Sequence, residues 1–176
     1  MKKWLFACVV SLCFGLPALP AADEKQAAAP VNHLASLERY LGEWELHGKW
    51  DSGEKLDARA IYEWGINKKN IVAKTYVMNG DKEYQRYEGI MAWHPKKKSL
   101  FEISFAYDGA VTEIILEEKD KDTLHIGYVP YNEGEPSPVR QILKFKDNDT
   151  FVWTVSLKAG EEWKRLIEAP WTRKKK

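Results

Sequence analysis

Four histidines are the residues of this chain best suited to metal or proton chemistry: His33, His47, His94 and His125. No two of them have the spacing of a metal-binding pair, such as H-x-H or H-E-x-x-H. His47 and His125 fall in predicted strands, and His125 is the better candidate for a haem ligand. The alternative is a solvated or hydrogen-bonded strand histidine, which is the commoner situation. We therefore predict no cofactor, with haem held by His125 as the alternative.

Carboxylates and hydroxyls do not form a recognisable catalytic motif. Glu102, Glu113 and Glu117 are expected to face water on alternating strands, and no spacing picks out an acid–base pair. The chain has no G-x-S-x-G nucleophile elbow and no glycine-rich phosphate loop. We predict no catalytic residues and a binding protein more readily than an enzyme. A barrel enzyme of isomerase or cyclase type is the alternative.

Aromatic residues are abundant and lie along the predicted strands. Beyond residue 22 the chain holds seven Trp, eight Tyr and four Phe. In a small β-barrel such residues either fill the interior or line a ligand cavity. A one-residue slip in register would turn every side chain to the other face, so their orientation stays open. The candidate ligand-binding residues are Trp64, Tyr76, Trp93, Phe105, His125, Trp153 and Arg165.

Nine turn signals divide the chain beyond Trp44 into ten candidate strands. Asn79-Gly80 and Asp108-Gly109 are the strongest, because a two-residue type I′ hairpin turn needs positive φ at both central positions. No crossover-length helical pattern separates the strands, which excludes parallel β-α-β units. A short helix is expected before the sheet, capped by Asn32 and stopped by Gly42.

Alternation along the strands predicts one buried face. Phe151, Trp153, Val155 and Leu157 share a face, and Phe101, Ile103 and Phe105 share another, with Glu102 opposite. Ten antiparallel strands hide their two edges by closing into an all-β, up-and-down barrel. The alternative is a sheet wrapped on a long C-terminal helix, for which Pro170 leaves no room.

The first 22 residues have the features of a secretory signal. Lys2 and Lys3 precede an apolar run, Trp4–Leu16, that is short of the roughly 20 residues needed to span a bilayer. We predict a signal peptide (1–22), a flexible spacer (23–32), a barrel domain (33–173) and a basic tail (174–176). Both cysteines, Cys8 and Cys13, lie in the signal, so the exported domain has no disulfide.

The segment Leu37–Glu45 resembles the start of lipocalin-like (calycin) barrels. Those barrels have a short helix and then Gly-x-Trp, matched here by Gly42 and Trp44, and a basic residue of the last strand packs across the Trp. The resemblance implies that role for Arg173. The chain also resembles a bacterial family of exported lipocalin-like domains, through elements such as Tyr62-x-Trp64. It implies a fold and supplies no catalytic residues.

The near-neutral net charge of the chain argues against a nucleic-acid partner. The chain has 27 Lys and Arg against 26 Asp and Glu, a net charge of +1, whereas nucleic-acid binders usually have a basic excess. We predict a small, largely apolar ligand and no nucleic acid, with a weak contact of the basic tail with anionic membrane as a further expectation. An envelope interaction module that uses its outer face is a further alternative.

Overall fold

Ten antiparallel strands form the whole framework of the domain. A computed structural model of the chain describes residues 31–130 and 137–175, so the predicted signal peptide and most of the predicted spacer lie outside the described residues. Two short 3₁₀ helices, Ala35–Tyr40 and Ile66–Lys68, accompany the strands. The strands are β1 (Gly42–Lys49), β2 (Lys55–Trp64), β3 (Asn70–Asn79), β4 (Lys82–His94), β5 (Ser99–Ala106), β6 (Val111–Asp120), β7 (Thr123–Tyr128), β8 (Val139–Phe145), β9 (Thr150–Ala159) and β10 (Glu162–Arg173).

Each strand pairs with the next along the chain, and β10 returns to pair with β1, so the sheet is a closed barrel. The predicted all-β, up-and-down barrel of about ten strands is therefore confirmed. The two hairpin turns contain Gly80 at φ +61° and Gly109 at φ +88°, values that glycine adopts without strain. The segment that could have been a terminal helix is β10, which excludes the helix-wrapped alternative.

The N-terminal helix, Ala35–Tyr40, covers one end of the barrel. The Asn32 side chain accepts a hydrogen bond from the Leu34 N–H at 3.1 Å, and Leu37 and Tyr40 are buried. Trp44 follows at the start of β1 and is fully buried, with its indole N–H donating to the Tyr40 carbonyl at 2.7 Å. We call this end, where the helix packs on the barrel, the closed end.

Arg173 ties the closed end together. Its guanidinium lies 4.2 Å from the centre of the Trp44 ring and donates hydrogen bonds to the carbonyls of Leu41 (2.6 Å) and Arg39 (2.8 Å). It also pairs with Asp149 at 3.1 Å. Gly42 leaves room for this arrangement, because a Cβ there would lie 2.9 Å from Nη1 of Arg173. One side chain thus links the helix, the first strand and the β8–β9 turn.

The inner and outer faces of β5 are exchanged relative to the sequence prediction. Leu100 and Glu102 are buried on the inner face, whereas Phe105 is 45% exposed on the outer face. The expectation that Glu102 faces water was wrong. Three large apolar residues, Phe101, Ile103 and Phe105, share the outer face and only Leu100 is on the inner face, so alternation pointed to the wrong face. Pairing with β4 sets the orientation, since Glu102 lies opposite the buried Met91.

Candidate functional site

Glu102 is an acidic side chain in the middle of the barrel interior. It is only 9% exposed, and its strand neighbours on the same face are apolar or small. Burial raises the pKa of its carboxyl to about 7, because the charged form loses its hydration. The group therefore changes charge near neutral pH.

Gly89 on β4 leaves room for the Glu102 carboxyl. A Cβ at position 89 would overlap Oε1 of Glu102, so only glycine accommodates the carboxyl against the β4 backbone. A glycine inside a strand commonly marks such a close approach. Neighbouring positions on the inner faces of β2 and β3 are also small, namely Ala58, Ala60 and Ala73.

Two tyrosines face the interior near Glu102. Burial raises the pKa of Tyr62, and the negative charge of Glu102 raises it further. The pKa of Tyr128 is raised mainly by burial, against a smaller opposing effect of its hydrogen bond with Gln141. Both phenols therefore keep their protons at neutral pH and can act as hydrogen-bond donors.

A hydrogen-bonded chain crosses β7, β8 and β9 on the inner face. The Trp153 indole N–H donates to Oε1 of Gln141 at 2.7 Å, and Nε2 of Gln141 donates to the Tyr128 hydroxyl oxygen at 3.1 Å. The Tyr128 oxygen is thus an acceptor, which leaves its own hydrogen to point elsewhere. This chain fixes the orientation of three side chains that line the interior.

The inner faces of the strands around Glu102 form a candidate site. Tyr62, Gln141 and Trp153 lie on inner faces of the closed barrel and are half-buried, so part of their surface is not covered by other side chains. The inner faces of β2 and β3 contribute the three alanines named above, and those of β7 and β9 contribute aromatic side chains. We call these inner faces, with Glu102 among them, the interior site.

Three of the sequence-predicted ligand-binding residues lie on the inner face. Trp64, Trp93 and Trp153 are half-buried and pack against the core. Trp93 stacks on His33 with 4.0 Å between ring centres. Of the three, only Trp153 takes part in the hydrogen bonds that link it through Gln141 to Tyr128.

The other four predicted residues lie elsewhere. Phe105 is on the outer face, and Tyr76 packs there under the Arg59 guanidinium, 4.3 Å from its ring centre. Arg165 is 54% exposed and pairs with Asp51 at 3.1 Å. Arg165 and Asp51 line a surface cleft of about 420 Å³.

His125 points away from the interior. Leu124 and Ile126, its neighbours along β7, are buried on the inner face, so alternation places the imidazole outside. Partial burial lowers its pKa, and the nearby positive charge of Lys119 lowers it further. A haem inside the barrel would not meet this side chain.

The residues that sequence reasoning missed are Glu102, Tyr62, Tyr128 and Gln141. The available signal was Gly89, a glycine within an otherwise bulky strand, which indicates a close neighbour without naming it. Tyr62 and Gln141 are about 80 positions apart, and only barrel closure brings both to one interior.

Comparisons with known proteins agree with the fold. No family model matches the chain, and no curated protein matches it. Among solved structures it is similar to Rv2717c from M. tuberculosis, with 9% identity, a TM-score of 0.55, and coverage of 81% of this chain and 97% of that one. EF1p2_mFAP2b bound to DFHBI is more distant, with 11% identity, a TM-score of 0.40, and coverage of 79% and 97%. The closed strand order and the first similarity define the fold as a ten-stranded antiparallel β-barrel.

Within residues 31–130 and 137–175, no helix is long and apolar enough to cross a bilayer. No group of three or more His, Cys, Asp or Glu is arranged to hold a metal ion within that part of the chain.

Proposed function

We propose that this protein is an exported, non-catalytic carrier that binds a small, largely apolar molecule in the interior site. The observation that carries the proposal is the half-buried state of inner-face side chains within a closed barrel. Ligand sites of this kind are mostly apolar and contain a few placed polar groups. Here the aromatic wall supplies contact area, and Glu102 and Tyr128 supply the polar groups.

Export is supported by the first 22 residues, which have a basic start, an apolar run and small residues before Asp23. N-terminal sequencing of protein recovered from a periplasmic extract tests this part of the proposal. A mature chain that begins at or near Asp23 is expected, and a retained Met1 would contradict it.

Filling the interior site is expected to abolish most binding. Ala73→Leu adds three carbon atoms to the inner face of β3, next to Tyr62. We expect the affinity for N-phenyl-1-naphthylamine, an uncharged apolar fluorophore, to fall about tenfold or more, since about 1.4 kcal/mol is enough for that change. If the added atoms occupy the space that the proposal assigns to the ligand, the melting temperature should change by only a few degrees. The measurement is a titration that follows energy transfer from tryptophan to the probe.

Ala92→Leu is the matched control. Ala92 lies on the outer face of β4, between the inner-facing Met91 and Trp93, so the same substitution leaves the interior site unaltered. Equal loss of probe binding in the two variants would show that the probe binds outside the barrel. Failure of the natural chain to bind any apolar probe would contradict the proposed function itself.

A further inference from the structure

Among the residues that the structure describes, Glu102 has no cationic partner. Burial alone accounts for its raised pKa, and within residues 31–130 and 137–175 neither an ion pair nor a hydrogen bond to the carboxyl contributes. Other acidic groups of the fold that contact bases do so on the outside, as Glu83 does with Arg59 at 2.7 Å. A glutamate that is nine-tenths buried and lacks such a partner is costly to the fold when it is ionised.

The titratable groups that face Glu102 are phenols. Tyr62 on β2 and Tyr128 on β7 are close enough for its charge to raise their pKa values. Tyr87, on the inner face of β4 toward the mouth (the barrel end opposite the closed end), likewise raises the pKa of Tyr128. A phenol carries no positive charge in either protonation state, so none of the three neutralises the carboxylate.

Two basic side chains near the mouth, those of Arg86 and Lys164, do not pair with Glu102. Arg86 on β4 packs on the rings of Tyr107 (4.2 Å) and Tyr87 (5.3 Å). Lys164 on β10 is exposed and lines the surface cleft beside Arg165. Neither contributes to the pKa of Glu102.

We infer that the ligand of the interior site is a small apolar molecule with a cationic amine, whose ammonium group pairs with the Glu102 carboxylate. This inference rests on the proposed binding function and names the ligand class. An ammonium group supplies the charge and the hydrogen-bond donors that the carboxylate lacks. The electron-rich faces of the surrounding tyrosines and of Trp153 also attract a cation, whereas an anionic ligand would be repelled by Glu102.

The test compares two molecules of nearly the same shape, 2-phenylethylamine and 2-phenylethanol. Each is titrated against the protein loaded with N-phenyl-1-naphthylamine at pH 8, where Glu102 is mostly ionised and the amine is protonated. We expect the amine to displace the probe at a concentration at least about tenfold lower than the alcohol. The reason is that a hydrogen bond between charged groups is stronger than one made by a neutral hydroxyl. Glu102→Gln should bring this ratio close to one.

Glu113→Gln is the control for net charge, because Glu113 is 66% exposed on the outer face of β6. It should keep the preference for the amine. At pH 5 the preference of the natural chain should shrink, because Glu102 is then protonated while the amine keeps its charge.

The outcomes separate the two proposals. If the probe binds but the alcohol competes as well as the amine, the ligand-class inference is wrong and the binding function stands. An unchanged preference in Glu102→Gln would likewise overturn it, since the amine would then bind elsewhere. If the natural chain binds neither probe nor competitor, both proposals fail.

Discussion

Replacing Glu102 by glutamine is expected to raise the free energy of unfolding at pH 8 by about 3 kcal/mol, and to leave it nearly unchanged at pH 4. Burial raises the pKa of this carboxyl from 4.5 to about 7, so ionising it inside the barrel costs about 1.4 kcal/mol for each pH unit of that difference. Glutamine has nearly the same shape and never ionises. Urea unfolding at a series of pH values measures the difference.

The sign follows from proton linkage. The unfolded chain releases the Glu102 proton near pH 4.5, whereas the folded chain keeps it up to about pH 7. Stability from this group is therefore complete below pH 4.5, decreases as the pH rises to 7, and is constant above it. The natural chain should lose stability across that interval, and Glu102→Gln should lose about 3 kcal/mol less.

Glu113→Gln provides the control, because Glu113 is well exposed and its removal should change stability little at any pH. A lower stability of Glu102→Gln than of the natural chain at pH 8 would show that the ionised carboxylate is stabilised by a partner. That result would remove the basis for assigning the ionised group to a ligand.

Arg173→Ala is expected to destabilise the domain by about 3 kcal/mol. The substitution removes two hydrogen bonds to the carbonyls of Leu41 and Arg39, the contact with the Trp44 ring and the pairing with Asp149. Hydrogen bonds of charged groups contribute about 1.5–3 kcal/mol each, and a partly desolvated cation–π contact adds about 1 kcal/mol, although such contributions are not additive. The melting temperature should fall by about 6–12 °C, as measured by circular dichroism.

Arg165→Ala is the matched comparison at the other end of the barrel. That arginine is 54% exposed and makes surface ion pairs, so its loss should cost no more than about 1 kcal/mol. Equal destabilisation by the two variants would contradict the role assigned to Arg173 at the closed end.

The fold could be predicted because its determinants are local. Turn residues such as Asn79-Gly80 and Asp108-Gly109 set the strand boundaries without reference to distant parts of the chain. The last strand could be distinguished from a helix by Pro170 and by the alternation that continues to Trp171. Ten consecutive antiparallel strands, most of them joined by short turns, favour closure because it leaves no unpaired edge.

The site could not be predicted in the same way, because it depends on which face of each strand turns inward. On β5 the apolar pattern favoured Phe105, whereas pairing with β4 places Glu102 inside. The same ambiguity misplaced Tyr76 on β3, beside a bulge at which the pairing with β4 shifts by one residue. Trp153 was predicted on the inner face because Phe151 and Val155 on that face are both apolar, and those two residues are buried.

The proposed function rests on the claim that the barrel encloses unfilled, largely apolar space beside Glu102. Crystals of the protein held under xenon pressure test it most directly, since xenon enters dry apolar cavities and scatters anomalously. We expect an anomalous peak inside the barrel, between the alanines of β2 and β3 and the Trp153 ring. A xenon-treated crystal with peaks only on the outer surface, and side chains packed throughout the interior, would contradict the claim.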